Sequence, residues 1–438
     1  MPTLPKISTL PPEAPYKKGD VLVVFGELFA RGYANGIVDE AERHGLTVIR
    51  STVGRRDGDG TLRALTPEEA SQQPAPFVNI PLEAGFDLEP AGPKGTRPID
   101  AFEGVKLSEW EKAKADWPTI EKSRELGRQR FRNAVKRYIV ELKTHIPKGK
   151  NVIFCHTMAG GVPRTKVIMP VMNRVFKGTG DRYVPSETLF HSDLGKLALM
   201  NFDEVTAETF RVLIEETTEL RTETESSGGS CRYLAYGYHG TEVLVGDHFR
   251  WQTYTPYFQG WAKMRLEGVA KEFHQKGIKA TVHNCPEILT NSSSIFIGVE
   301  VSLYPLLGAL LKLDAGKNGK GAEIVNECLA LLKPGTSVDS IMAYTKEYIE
   351  SELIESHSDF TKWPQNNSRP QMEKMLSASE YLFGLHADRK NTITSVLSEQ
   401  VFRATGYVMF HDSWTCAKPV AWLGHDVLGT ALASGKTL

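Results

Sequence analysis

A chain of 438 residues with ordinary apolar and charged fractions can bury a large core, as one elaborated domain or two. A net charge of −1, with basic residues spread among acids, argues against a dedicated nucleic-acid surface. Five cysteines, odd in number and without a CxxC pair, give no zinc signature and point to reduced thiols in a cytoplasmic setting.

Residues 1–18 are rich in proline and lack the basic-then-apolar layout of a secretion signal, so they read as an N-terminal arm before a single domain over 19–438. Val21-Leu-Val-Val-Phe25 is a continuous apolar run, as a strand buried on both faces of a parallel sheet would be. Gly26, Gly32, Tyr33, Ala34 and Gly36 follow, and the pattern then turns helical. A strand, a glycine turn and a helix N-terminus present N–H groups and a positive dipole end to a phosphate, although the spacing is not GxGxxG.

Leu46-Thr-Val-Ile-Arg50 reads as a second strand. Arg50, Arg55 and Arg56 stand where doubly wound folds meet the adenosine ribose, with no acid after that strand before Asp57. Arginines there suit a 2′-phosphate, which favours NADPH, with NADH possible. Residues 77–80 suggest a third strand. Residues 92–117 are polar, with proline and glycine concentrated in the first half, which marks an insertion at the surface, and the arginines of a helix over 120–145 read as a solvated face. Asn151-Val-Ile-Phe-Cys155 is another buried strand, ending in His156, Ala159 and Gly160, where small residues let backbone approach a ligand.

A long helix is expected over 202–221, then a strand over 231–236, a helix carrying Lys263 to about Gln275, and a strand over 278–283. The apolar run over 295–311, broken by Glu300 and Pro305, reads as a buried helix and not a bilayer span. Tyr254 and Tyr257 lie at the entrance of the Lys263 helix. A lysine beside a phenol favours its ionised form and suits the pair to charge developing on a carbonyl oxygen.

Taken as a set, these loops resemble the enoyl-thioester reductases of the short-chain dehydrogenase/reductase superfamily. Gly26-x5-Gly32-Tyr-Ala-x-Gly36-Ile is similar to the divergent dinucleotide loop of that family, and Tyr238-x-Gly-x-Glu242 to its YxGxE segment. Gly260-Trp-Ala-Lys263-x-x-Leu-Glu267 and Pro286-x-Ile288-x-Thr290 resemble its lysine helix and the segment that closes over the nicotinamide. The Tyr254 to Lys263 spacing fits the Yx8K of the FabV type, and length and first loop suggest the related FabMG-type group. Residues 404–412 resemble the superfamily's last strand, whereas the segments at about 58–118 and 334–400 have no counterpart in it and read as insertions.

The resemblance implies a Rossmann-type, doubly wound α/β domain without a metal, and NAD(P)H-dependent reduction of trans-2-enoyl thioesters carried by acyl carrier protein or coenzyme A in fatty acid synthesis. It implies Tyr254 as donor to the thioester oxygen, with Tyr257 competing for that role and Tyr238 as a second donor. Lys263 would hold the ribose. Tyr236 and Tyr238 stand where carbonyl-reducing relatives have serine, which suits enoyl reduction. A ketone- or alcohol-directed dehydrogenase and a non-catalytic NADP(H) sensor use the same loops, and the protein is expected as a monomer or homo-oligomer without membrane insertion.

Overall fold

The computed structural model describes residues 5–237, 258–290, 297–314, 319–357 and 367–437 in full, and 241–245 and 248–252 by backbone alone. The strands among them are β1 Lys6–Ile7, β2 Val21–Phe25, β3 Thr47–Thr52, β4 Arg55–Arg56, β5 Leu62–Arg63, β6 Phe77–Pro81, β7 Val152–His156, β8 Cys231–Gly237, β9 Thr241–Val245, β10 His248–Gln252, β11 Ala280–Asn284 and β12 Val420–Leu423.

Eight of them form one sheet in the order β1-β12-β11-β8-β7-β2-β3-β6, and every pairing within it is parallel. Strands β2, β7 and β11 are buried at every residue, since helices cover both faces; β2 is an unbroken apolar run, while β7 ends in His156 and β11 buries Thr281, His283 and Asn284. One face carries the Ala34–Arg43 and Ile393–Asp412 helices and the apolar Pro305–Leu313 helix. The other carries Trp117–Lys143, Thr209–Glu216 and Phe258–Gln275. A third apolar cluster joins Phe102, Trp110 and the helices over 168–203 to the start of the Lys263 helix.

Several expectations are corrected. Residues 404–412 are not the last strand: they end the Ile393–Asp412 helix, and β12 is the strand. That helix is buried all round between Ala404 and His411, so its sequence carries no period to separate helix from strand. The helix expected over 202–221 begins earlier, at Asp193, opens into a π turn at Glu204–Glu208 and breaks at Thr217. The arginines read as a solvated face make ion pairs: Arg124 and Arg128 with buried Glu204, and Arg132 with Glu215 and Glu216. The buried segment near 300 is two short helices, Val299–Leu303 and Pro305–Leu313. Among the described residues no helix is long and apolar enough to cross a membrane.

The N-terminal arm supplies β1 to the sheet edge, pairing Lys6 with Trp422 and Ile7 with Leu423. Further along, the Ala14 N–H donates to His411 Nδ1 at 2.9 Å, and the Tyr16 hydroxyl meets that of Ser413 at 2.7 Å. Because His411 Nδ1 accepts, its Nε2 carries the proton and donates to Glu40 at 3.0 Å. His44 Nε2 meets the same Glu40 oxygen at 3.0 Å, and Arg43 binds its carboxylate too. Burial raises the Glu40 pKa, but the bonds from His411 and Arg43 outweigh it and hold the carboxyl low. The cluster of Glu40, His44 and His411 has metal-like spacing. Its hydrogen-bond roles are nevertheless taken, since a cation on His411 Nε2 would force a proton onto Nδ1 against the Ala14 N–H.

Candidate active site

The carboxyl ends of β2, β3, β7, β8 and β11 face one side of the sheet, where doubly wound folds bind ligands. The turn after β2 depends on Gly26 at φ +125°, where a Cβ would lie 2.5 Å from Thr157 Oγ1. Ser51 braces it from the next strand: its hydroxyl lies 2.6 Å from the Val24 carbonyl and accepts the Gly26 N–H at 3.2 Å. Gly32 has open space around it. Tyr33 precedes the Ala34–Arg43 helix, its hydroxyl donates to the Pro286 carbonyl, and its ring lies 5.8 Å from that of Tyr236. Tyr33 therefore ties the first loop to the segment after β11.

Gly36 sits elsewhere in the design. A Cβ on it would lie 2.0 Å from the Phe402 carbonyl oxygen, and one on Gly406 would lie 2.0 Å from the Gly36 carbonyl carbon. Two helix backbones touch there, which sets the angle at which the first helix presents its N-terminus.

A cleft of about 200 Å³ opens between the ends of β2, β3 and β7, lined among others by Glu27, Phe29, Val53, Met158, Ala159 and Gly161. Ala159 is exposed at its edge, and Gly160 (φ +110°) accepts a hydrogen bond from Thr206 of the π turn at 3.1 Å. The three arginines are each engaged by an acid: Arg50 by Glu42 at 2.7 Å, Arg55 by Glu27 at 2.9 Å and Arg56 by Glu83 at 2.7 Å. Sequence reading missed Glu27, the residue after Gly26. It reaches across to the end of β3, accepting from Thr52 Oγ1 at 2.9 Å and the Val53 N–H at 3.2 Å. Burial raises its pKa, yet the bonds from Arg55 and Thr52 prevail and keep it ionised. The signal was present, since an acid right after a glycine turn can reach the neighbouring strand's end.

Lys263 lies on the Phe258–Gln275 helix, only 5% exposed, and its ammonium donates to the Tyr236 carbonyl at the end of β8. Burial lowers its pKa to about 8. Glu267, one turn on, accepts from the Asn284 side chain at 2.6 Å and so links this helix to the end of β11. His156 ends β7, fully buried, with Nε2 2.8 Å from Thr209 Oγ1. Ile288 is buried, Leu289 N–H donates to Ser398 Oγ at 2.9 Å, and Pro286 and Thr290 flank them on the same loop. Phe258, at the start of the lysine helix, is packed into the core, 4.5 Å from the ring of Phe190. Tyr238, Tyr254 and Tyr257 lie outside the described residues.

The structure thus gathers Gly26, Tyr33, His156, Ala159, Gly160, Lys263 and Pro286 along one end of the sheet, and it places Gly36 in a helix crossing and the arginines in ion pairs. The glycine turn that a Cβ would fill, the helix N-terminus behind it and an ionised acid at the end of β3 fit a dinucleotide.

Comparison with curated proteins gives no match. Two solved structures are similar over the full length of both chains: an apo structure of FabMG, described as a novel type of enoyl-acyl carrier protein reductase, at 45% identity and TM-score 0.94, and an NADH-bound structure of FabMG at 39% identity and TM-score 0.77. The family model for enoyl-acyl carrier protein reductase FabMG matches residues 3–432. On that match, and with a parallel sheet whose β2 ends in a glycine turn and whose Phe258–Gln275 helix carries a buried lysine, the chain belongs to the FabMG family of enoyl-acyl carrier protein reductases.

Proposed function

We propose that the chain uses NADH to reduce the 2,3 double bond of trans-2-enoyl groups carried on acyl carrier protein, and accepts coenzyme A thioesters as alternative carriers. The observation that carries the reading is Lys263, a buried ammonium at the end of β8 on the side where the dinucleotide loops meet. A nicotinamide bound there would supply hydride to the β-carbon, placing negative charge on the thioester oxygen until a proton reaches the α-carbon. That oxygen needs a preorganised donor in a field that favours charge. Tyr254, at the family's spacing from Lys263, is assigned as donor, with Tyr238 as the second; Lys263 keeps the local field positive and holds the ribose hydroxyls.

Consumption of NADH with a crotonyl thioester tests the reaction, and turnover of a 3-ketoacyl thioester in its place would overturn it. Tyr254→Phe is expected to lower kcat by roughly 10²-fold while leaving NADH binding nearly unchanged. Near-normal turnover in Tyr254→Phe, with loss in Tyr257→Phe, would move the donor role to Tyr257.

Glu27 supports NADH over NADPH. Its carboxylate stands at the end of β3, where an acid accepts from ribose hydroxyls and repels a 2′-phosphate, and it also occupies Arg55. Glu27→Gln should remove the repulsion and free Arg55. The ratio of kcat/KM for NADPH to that for NADH is expected to rise about 10- to 100-fold, the worth of one charge-assisted contact. An unchanged ratio would show that Glu27 does not set the choice between the two cofactors.

A further inference from the structure

His156 is oriented by its neighbours in a way that has consequences for Lys263. The Thr209 hydroxyl donates to the Val205 carbonyl at 2.7 Å, so toward His156 Nε2, at 2.8 Å, it acts as acceptor. Nε2 therefore carries the ring proton and Nδ1 presents a lone pair. The ring is 1% exposed, stacked on Phe25 at 6.2 Å and set edge-on to Phe210 at 5.3 Å, and Nδ1 has no hydrogen-bond partner. The Glu204–Glu208 π turn ends just before Thr209 and aims its hydroxyl inward.

The sheet register brings the imidazole into the neighbourhood of the lysine. His156 is the β7 partner of Ala235 on β8, and the Lys263 ammonium rests on the carbonyl of the next residue, Tyr236. Both side chains belong to the face of the sheet covered by the Phe258–Gln275 and Thr209–Glu216 helices: Phe25 and Phe210, which flank the imidazole, share one core cluster with Leu266 and Val269 of the lysine helix. An ammonium offers three N–H donors, and the Tyr236 carbonyl takes one.

We infer that His156 is a positioning residue for Lys263: its Nδ1 accepts a second N–H of the ammonium through one bridging water, and so holds the lysine charged and aimed while Thr209 fixes the imidazole tautomer. The inference rests on the reading of Lys263 as the charge-bearing group of the site. Burial first, and the Lys263 charge second, hold the His156 pKa well below its ordinary value, so the imidazole stays a neutral acceptor across the working range. Among the described residues, the titratable groups near Lys263 include Tyr236 on β8 and Cys285 after β11, both raised by burial, and Glu267 one turn on in its own helix, which accepts from the Asn284 side chain. On the helical run packed against the lysine helix, Asp203 is paired with Arg265, Glu204 with Arg124 and Arg128, and Glu208 with Arg211.

The test is a titration of Lys263 by NMR on protein carrying ¹³C-labelled lysine, with the resonance assigned by its loss in Lys263→Arg, alongside the pH profile of kcat. Replacing the acceptor in His156→Phe is expected to lower the Lys263 midpoint by about one pH unit, move the alkaline limb of kcat with it, and lower kcat about tenfold with KM for NADH nearly constant. Asparagine places an amide oxygen near the position of Nδ1, so His156→Asn should restore most of the midpoint and of kcat. Should His156→Phe fail to fold, Thr209→Val becomes decisive. It keeps the volume, frees the tautomer, and is expected to lower the midpoint in the same direction by a smaller amount. A midpoint in His156→Phe, or in Thr209→Val where that variant decides, that matches the wild type overturns the pairing, as does an asparagine variant no better than phenylalanine. A midpoint that depends on His156 while Lys263→Arg keeps full turnover would uphold the pairing and remove Lys263 from the chemistry.

Discussion

Lys263→Met is expected to lower turnover by roughly 10²- to 10³-fold and, at neutral pH, to make the protein more stable. The side chain is 5% exposed, and burial lowers its pKa from 10.5 to about 8. At about 1.36 kcal/mol per pH unit, the folded protein carries a cost on the order of 3 kcal/mol for keeping that charge inside. The sign follows from proton counting. Below about pH 8 both folded and unfolded states hold the proton and the full cost is present; between about 8 and 10.5 the folded state has released it while the unfolded state keeps it, so stability rises with pH through that window. Methionine has similar length and no charge. It removes the cost but leaves the Tyr236 carbonyl without its donor, which returns about 1–2 kcal/mol of the gain. The difference in thermal midpoint between variant and wild type should be largest near pH 7 and shrink above pH 8. A variant that is less stable at every pH, or a difference independent of pH, would contradict this account.

The second large effect belongs to the helix crossing. Gly406→Val, or Gly36→Val, should abolish folding at ordinary temperature, a loss above about 4 kcal/mol, because a side chain at either position meets backbone at 2.0 Å and neither helix can yield without leaving the sheet. Gly268→Ala is the matched control. It lies in the lysine helix with nothing within 4 Å, and alanine there should be neutral or stabilise by about 0.5–1 kcal/mol. Thermal unfolding and soluble yield of the three variants check the contrast. Comparable behaviour of Gly406→Val and Gly268→Ala would mean that the helices separate easily.

The parts of the fold that could be read in advance are those where local pattern and burial agree. β2 and β7 are five-residue strands buried throughout, apolar except for His156, and the lysine helix ends at Gln275, two residues before Gly277, whose φ of +80° suits a helix stop. β12 escaped notice because it has four residues, while the longer apolar run at 404–410 offered itself as a strand. The site was legible as a set of strand-end loops, since each loop's composition is local. Its electrostatics were not. Arg55 meets Glu27, Arg56 meets Glu83 and Arg128 meets Glu204, pairs made by tertiary neighbours that no sequence period announces. His156 shows the same division: its place at a strand end is local, while its tautomer depends on a threonine more than fifty positions away.

The pairing of β1 with β12 bears on how the chain is made. Synthesis proceeds from the amino end, and domains generally fold as they emerge. Residues 6 and 7 find their partners only at 422 and 423, and Ala14 and Tyr16 find theirs at 411 and 413. During translation the arm therefore leaves the ribosome long before anything exists for it to pair with. The edge of the sheet closes after the dinucleotide loops, the lysine helix and most of the core have been synthesised. The arm is therefore joined to the sheet edge only after its carboxyl-terminal partners exist.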